Sequence, residues 1–169
     1  MPHEAEHRDT TAFETGAALR ARLSDAILDG AADSIVACDH DGIIRFWNPG
    51  AERLFGYSSA EAVGRSLDLI IPERLRQRHW DGYRRVMVTG ETRYGTGDVL
   101  SVPAARQDGA RISVEFTIYP LRIGARLAGM AAMLRDVTQR FNEMRELKRK
   151  LADAATPSSK SGSSARHEP

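Results

Sequence analysis

The chain of 169 residues has a single cysteine, Cys38, and almost no charge imbalance. One cysteine excludes an internal disulfide and the multi-cysteine sites that hold zinc or iron–sulfur clusters. The formal net charge is +1, so no broad basic field points to nucleic acid. No apolar stretch approaches the roughly 20 residues of a membrane-spanning helix, and the polar start of the chain lacks the apolar core of a secretory signal. We therefore expect a cytoplasmic protein that binds neither nucleic acid nor membrane.

The motifs of the common catalytic sites are missing as well. There is no glycine-rich phosphate loop, no Ser, His and Asp in the setting of a nucleophile elbow, and no recognisable pair of catalytic carboxylates. We therefore expect that the chain is not an enzyme.

Hydrophobic periodicity divides the chain into five segments. The polar, low-complexity ends at 1–16 and 156–169 cannot bury a core, so we predict that both are disordered. Three ordered segments are predicted between them: an N-terminal amphipathic helix over 17–30, a domain over 31–137 and a C-terminal signalling helix over 138–155.

The domain over 31–137 alternates between strand and helix patterns. A turn at Gly42 joins two predicted strands, and Asn48 and Ser58 are predicted to cap two short helices after them. Pro103 predicts an edge strand or a bulge, because proline cannot donate a hydrogen bond to a neighbouring strand. The predicted fold is α+β, a five-stranded antiparallel sheet with short helices on one face and flanking terminal helices. The predicted strands are 34–38, 43–47, 98–106, 111–121 and 127–135, and the long helix is 72–89.

Several short stretches resemble a PAS domain in the expected order. Residues 39–48 (DHDGIIRFWN), 51–57 (AERLFGY) and 61–64 (EAVG) resemble its opening half, and 107–109 (QDG) and 134–138 (LRDVT) resemble its closing half. The resemblance covers about residues 22–140. It implies a five-stranded PAS sheet, a ligand-sized cavity between the sheet and the helices, and a role in sensing or dimerisation.

The stretch 71–79 (IPERLRQRH) is further similar to the heme-bearing PAS domains of FixL-type oxygen sensors and related gas sensors. That resemblance implies heme b with His79 as the proximal iron ligand, and with Arg85 and Arg93 as partners of the propionates. The stretch 97–100 (GDVL), which matches the strand after the helix, lacks the arginine that FixL-type sensors place there to bind oxygen. An apolar distal side would favour CO or NO over a hydrogen-bonded oxygen adduct. The expected distal wall consists of Val99, Phe116, Ile118 and Met133.

The spacing around His79 predicts where its ring points. Leu75, His79, Gly82 and Val86 are separated by four, three and four residues, so they share one helix face, which we expect to face the core. An inward histidine is either a core residue bonded to a carbonyl or hydroxyl, or an iron ligand through Nε2. The arginines around it, among them Arg85, could equally form a solvated helix face.

Three functions remain open at this point. The first is a heme-bound gas or redox sensor, and the second is a PAS interaction module with no cofactor or with a small organic ligand. The third is a flavin-binding PAS domain, although the cysteine motif of blue-light flavin domains is absent and Cys38 lies on the first strand. One absorption spectrum separates them, since heme and flavin absorb in different regions.

The two terminal helices each carry an apolar stripe that needs a partner. We expect them to pack together across a homodimer interface and to pass a signal to a downstream signalling protein; alternatively, one of them folds back on its own sheet. With about 15 residues after the last helix, the chain either signals through another protein or is a fragment of a longer sensor. The stripes are Leu19, Leu23 and Ile27 in the first helix and Val137, Phe141, Met144, Leu147 and Leu151 in the last.

Overall fold

The computed structural model describes residues 16–91 and 99–155. Of the predicted disordered stretches 1–16 and 156–169, all but residue 16 lie outside these ranges, as does Arg93. The elements in chain order are α1 Ala17–Gly30, β1 Ser34–Asp39, β2 Ile44–Trp47, α2 Pro49–Phe55, α3 Ser59–Ala62, a 3₁₀ turn Leu67–Leu69, α4 Glu73–Thr89, β3 Leu100–Ala105, β4 Arg111–Ile123, β5 Arg126–Asp136 and α5 Thr138–Ala155.

The five strands form one antiparallel sheet in the order β2-β1-β5-β4-β3. This arrangement confirms the predicted α+β fold. Pro103 lies on β3, where it pairs with Ser113 at the edge of the sheet. The edge position explains why a residue without an N–H is tolerated in a strand.

Strand register determines which side chains face the helices. Val36 pairs with Ala132 and Cys38 pairs with Met130, so all four side chains point to the same side of the sheet. Phe116 pairs with Leu134 and joins them. The buried core lies on this side, and its largest fully buried apolar side chains are Phe55, Ile44 and Val114.

Two polar caps start the short helices that cover the sheet. The Asn48 side chain accepts a hydrogen bond from the backbone N–H of Ala51, and Pro49 occupies the first turn of α2. Ser58 and Glu61 form a reciprocal capping box at the start of α3. Both predicted caps are confirmed, because each satisfies backbone donors that a helix start leaves unpaired.

Hydrogen bonds attach α5 to the neighbouring strand. The backbone N–H of Val137 donates to the Ser113 carbonyl at 2.9 Å, and the Thr138 hydroxyl accepts from the Ser113 N–H at 2.9 Å. Asp136 accepts from the Thr138 N–H at 2.8 Å, which starts the helix. Beyond this joint, no residue of α5 with a described side chain is buried, and the same is true of α1.

Candidate functional site

The face of α4 that packs on the sheet is built from two aromatic residues and a methionine. Met87 is buried, and Trp80 and Tyr83 pack against the core cluster. The Trp80 indole N–H donates to Asp68 at 2.8 Å, and its ring lies so close to Gly42 that a Cβ atom there would overlap it. Gly42 thus lets the ring of Trp80 reach the β1–β2 turn.

The predicted inward stripe of α4 is therefore displaced. Trp80, Tyr83 and Met87 follow one another at three and four residues and form the inward face. Of the predicted stripe, Val86 also packs against the core, while Leu75 is absent from the core contacts. Because each residue turns a helix by about 100°, moving the stripe from 79 to 80 rotates it by more than a quarter turn. The prediction followed the aliphatic residues, but the large apolar area of the aromatic rings determines the orientation.

His79 lies at the margin of this aromatic face and is half-buried. Its ring makes an edge contact with Trp80 at a centroid distance of 4.9 Å and stacks on Tyr83 at 5.8 Å. Burial lowers the pKa of His79, and the negative charge of Asp68 opposes this effect. The imidazole is therefore held in its neutral form near pH 7.

The Nδ1 atom of His79 is buried and makes no hydrogen bond. The expectation of a core histidine bonded to a carbonyl or hydroxyl is thus not met at this atom. An unpaired buried polar atom costs free energy, so a hydrogen-bond partner at Nδ1 would stabilise this position.

Tyr83 connects α4 to the first strand across the space between helix and sheet. Its hydroxyl donates to the Asp39 carbonyl and lies 3.2 Å from the Cys38 sulfur, which is itself 3.5 Å from the Met130 carbonyl. Burial raises the pKa of the Tyr83 hydroxyl and of the Cys38 thiol. Cys38 therefore stays a thiol, and its position matches the interpretation of a small buried hydrophobe.

The predicted distal wall is only partly assembled. Phe116 and Ile118 face the helices and pack against the core, as the alternation of β4 predicts. Met133 pairs with Ile35 and Thr117 on the opposite face of the sheet, so its assignment to the wall is wrong. A nearly continuous apolar strand gives no alternation from which its inward residues can be read.

Two further predicted site residues lie away from the core. Val99 precedes β3 and is 61% exposed, so it does not form a closed wall. Arg85 is exposed on α4, as the solvated-face interpretation predicts.

These positions do not fit a heme held by His79. A porphyrin needs a flat open space beside the imidazole, between α4 and the sheet. The Trp80 ring fills that space toward Gly42, and Tyr83 fills it toward Cys38 and Asp39. Gly82, predicted to leave room for a flat group, has no neighbour within 4 Å of where a Cβ would lie, so open space lies beside it, but the Trp80 and Tyr83 rings occupy the way from His79 to the sheet.

The residues that sequence reasoning missed here are Trp80 and Tyr83. Their signal is present in the sequence, since with Met87 they repeat at three and four residues on one helix face. A cleft at the start of β1, beside Ser34, was also missed, because its lining comes from four separate segments with no common motif.

Residues 16–91 and 99–155 contain neither a cluster of metal ligands nor a membrane-spanning helix. No three His, Cys, Asp or Glu side chains there come close enough to hold a metal ion. No helix in those ranges has both the length and the apolar character needed to cross a membrane.

Comparison with known proteins places these features in a family. A family model described as the PAS fold matches residues 28–141. The sensor protein FixL of Bradyrhizobium diazoefficiens is 30% identical over 125 residues, covering 72% of this chain and 24% of that protein. The oxygen sensor protein DosP of Escherichia coli is 30% identical over 109 residues, covering 57% of this chain and 13% of that protein. The chain thus spans less than a quarter of the length of these relatives.

Solved structures show the same fold. An RNA-binding light-oxygen-voltage receptor has 28% sequence identity and a TM-score of 0.65, with 85% of this chain and 40% of that chain covered. The PAS domain of a Colwellia psychrerythraea protein has 21% identity and a TM-score of 0.62, with 71% of this chain and 98% of that chain covered.

Proposed function

The chain belongs to the PAS family, and on this basis we propose that it is a sensory module that works as a homodimer and passes its signal to a downstream signalling protein through α1 and α5. The observation that carries the proposal is the exposure of the apolar stripe of α5, which the described part of the chain leaves at least half uncovered. Phe141, Met144, Leu147 and Leu151 are each at least 50% exposed.

An exposed stripe of this kind is expected to bind another apolar surface. Four large apolar side chains on one side of an 18-residue helix leave a contiguous patch in water, and such patches mark interaction surfaces. The first helix adds Leu23 and Ile27, which are also exposed. A second copy of the chain offers the same two stripes, so a twofold dimer would cover both.

The joint between β5 and α5 gives the signal a physical route. Ser113 on β4 holds both Val137 and Thr138, and the side chain of Arg140 pairs with that of Glu115 on the same strand. A shift of β4 or β5 would therefore move the base of α5. A dimer of such helices would carry the movement to whatever is attached beyond them.

Replacing Met144 with glutamate tests the dimer. We expect the wild-type protein to sediment as a dimer and Met144→Glu to weaken association by about tenfold or more, because the dimer would have to bury a carboxylate in an apolar contact. Analytical ultracentrifugation over a concentration series measures both. The matched control is Asn142→Glu, which adds the same charge to the opposite side of α5 and should leave association unchanged. Equal behaviour of the two variants, or a monomeric wild type, would refute the proposal.

Heme binding through His79 is the second candidate. The lowered pKa of His79 favours it, because a neutral imidazole can bind iron through Nε2. The unpartnered Nδ1 does not, because an iron-bound histidine usually donates this N–H to an acceptor. Heme binding also requires the Trp80 and Tyr83 rings to leave their contacts with Gly42 and Cys38. We therefore propose that the module senses without a porphyrin and without catalysis.

A hemin titration distinguishes these two candidates. We expect no saturable Soret shift with the purified wild-type protein, because no flat space adjoins His79. A shift that His79→Ala abolishes, and that His40→Ala preserves, would instead establish the heme sensor; His40 is the control because it lies exposed in the β1–β2 turn. The same spectrum would report a bound flavin. The single cysteine, Cys38, is buried on β1, so α4 carries no cysteine that could react with a flavin.

A further inference from the structure

A cleft of about 420 Å³ lies at the end of the sheet where β5 leads into α5. The start of β1, helix α2, the turn after β3 and the end of β5 line it. Its volume falls in the range of pockets that take small organic molecules. It is a separate place from the space beside His79, which is not among its lining residues.

Three arginines line this cleft, and they differ in the hydrogen bonds and ion pairs that they make. Arg135 makes three hydrogen bonds to both carboxylate oxygens of Asp33, so these two lining residues neutralise one another. Arg53 makes a single hydrogen bond, to the Ala31 carbonyl. Of the lining carboxylates, only Asp136 then remains beside Arg53 and Arg106, and Asp108, which lies outside the lining, forms an ion pair with Arg106.

Arg106 gives the strongest indication that a hydrogen-bond partner is missing from the cleft. Its side chain is 28% exposed, yet its buried Nε makes no hydrogen bond. Asp108 Oδ2 lies 3.5 Å away without hydrogen-bond geometry, and Asp108 is itself 61% exposed. Within the described part of the chain the guanidinium thus has an ion pair but no hydrogen bond, which is unusual for a largely buried group with five N–H donors.

A second polar group at the cleft also lacks a partner. Ser34 lines the cleft and is 1% exposed, and its hydroxyl makes no hydrogen bond. Unsatisfied polar groups are concentrated here, since two of the three such buried side-chain atoms in the described ranges belong to lining residues. The Arg106 guanidinium can only donate and the Ser34 hydroxyl can also donate, so an acceptor is the one kind of partner that would suit both.

From this arrangement we propose that the cleft binds a small organic carboxylate. The planar guanidinium of Arg106 matches a carboxylate, and Arg53 adds a second cation. Ala32, Leu54 and Leu134 supply apolar lining for an organic body, which a bare inorganic anion would leave uncovered. The site adjoins Asp136, which caps α5, so an occupant would touch the joint that holds the exit helix.

Benzoate and its neutral analogue benzamide provide matched probes. With ¹⁵N-labelled full chain, we expect benzoate to shift the amide resonances of Ser34 and of Leu134 to Asp136 in a saturable way, and benzamide to leave them in place. Arg106→Gln should weaken benzoate binding by about tenfold or more, and Arg53→Gln should weaken it as well, because each removes a charged donor.

The control variant is Arg65→Gln, which removes an arginine from a different cleft and should bind benzoate like the wild type. The titration runs to about 50 mM benzoate, a concentration that would saturate a site with a millimolar Kd. The absence of a saturable shift up to that concentration would overturn the proposal. So would equal binding of benzamide, or undiminished binding by a folded Arg106→Gln variant. None of these outcomes depends on the dimer, so this site and the proposed function fail separately.

Discussion

Replacing Asn48 with alanine should destabilise the fold by about 4 kcal/mol, the sum of one buried helix cap and the buried groups it leaves unpaired. Asn48 is 1% exposed, and its amide makes three hydrogen bonds. Oδ1 accepts from the N–H of Ile35 at 2.7 Å and of Ala51 at 2.8 Å, and Nδ2 donates to the Asp33 carbonyl at 3.0 Å. One side chain thereby joins the start of α2 to β1 and to the loop before it.

The size of the effect follows from burial rather than from capping alone. Alanine would remove the side-chain partners of the Ile35 N–H and the Asp33 carbonyl in a place that water does not reach freely, and it would leave the Ala51 N–H with only the backbone carbonyl of residue 48. Urea unfolding followed by circular dichroism measures the loss. Ser58→Ala is the matched control, because it removes an exposed cap that water can replace, and should cost about 1 kcal/mol. Similar costs for the two variants would contradict the buried network.

Asn48 also shows which structural features can be predicted from the sequence and which cannot. Its position before proline and a short helical run predicts the cap, and alternation in β4 predicts that Phe116 and Ile118 face inward. These signals are local, since each depends on residues within a few positions of one another. The hydrogen bonds from Asn48 to Ile35 and Asp33 could not be predicted, because they join residues 13 and 15 positions apart in the chain.

The candidate site was harder to predict for two physical reasons. A helix face can be read from apolar spacing only when one stripe is clearly favoured, and α4 offers two, Leu75–His79–Val86 and Trp80–Tyr83–Met87. The cleft at the end of the sheet carries no spacing signal at all, because Arg53 and Arg106 meet only through the fold. Packing therefore decides both the environment of His79 and the composition of the cleft.

Close backbone approach at α2 gives the second large effect, in which the same substitution has opposite results at two glycines. A Cβ atom added to Gly50 would overlap the carbonyl group of Asp33, while one added to Gly82 in α4 would meet no atom within 4 Å. Neither glycine has a positive φ, so alanine is conformationally allowed at both. The two sites differ in their neighbours.

We expect Gly50→Ala to destabilise the protein by about 3 kcal/mol, because the overlap involves rigid backbone and can be relieved only by moving α2 away from the start of β1. Gly82→Ala should instead stabilise it by about 0.5–1 kcal/mol, the usual gain in a helix interior. Thermal and urea unfolding of the two variants measure this contrast. Because Gly50 also lines the cleft, displacement of α2 should weaken benzoate binding in Gly50→Ala, whereas Gly82→Ala should bind like the wild type. A stable Gly50→Ala protein would show that α2 does not pack this closely on β1, and the cleft between them would then have a different shape.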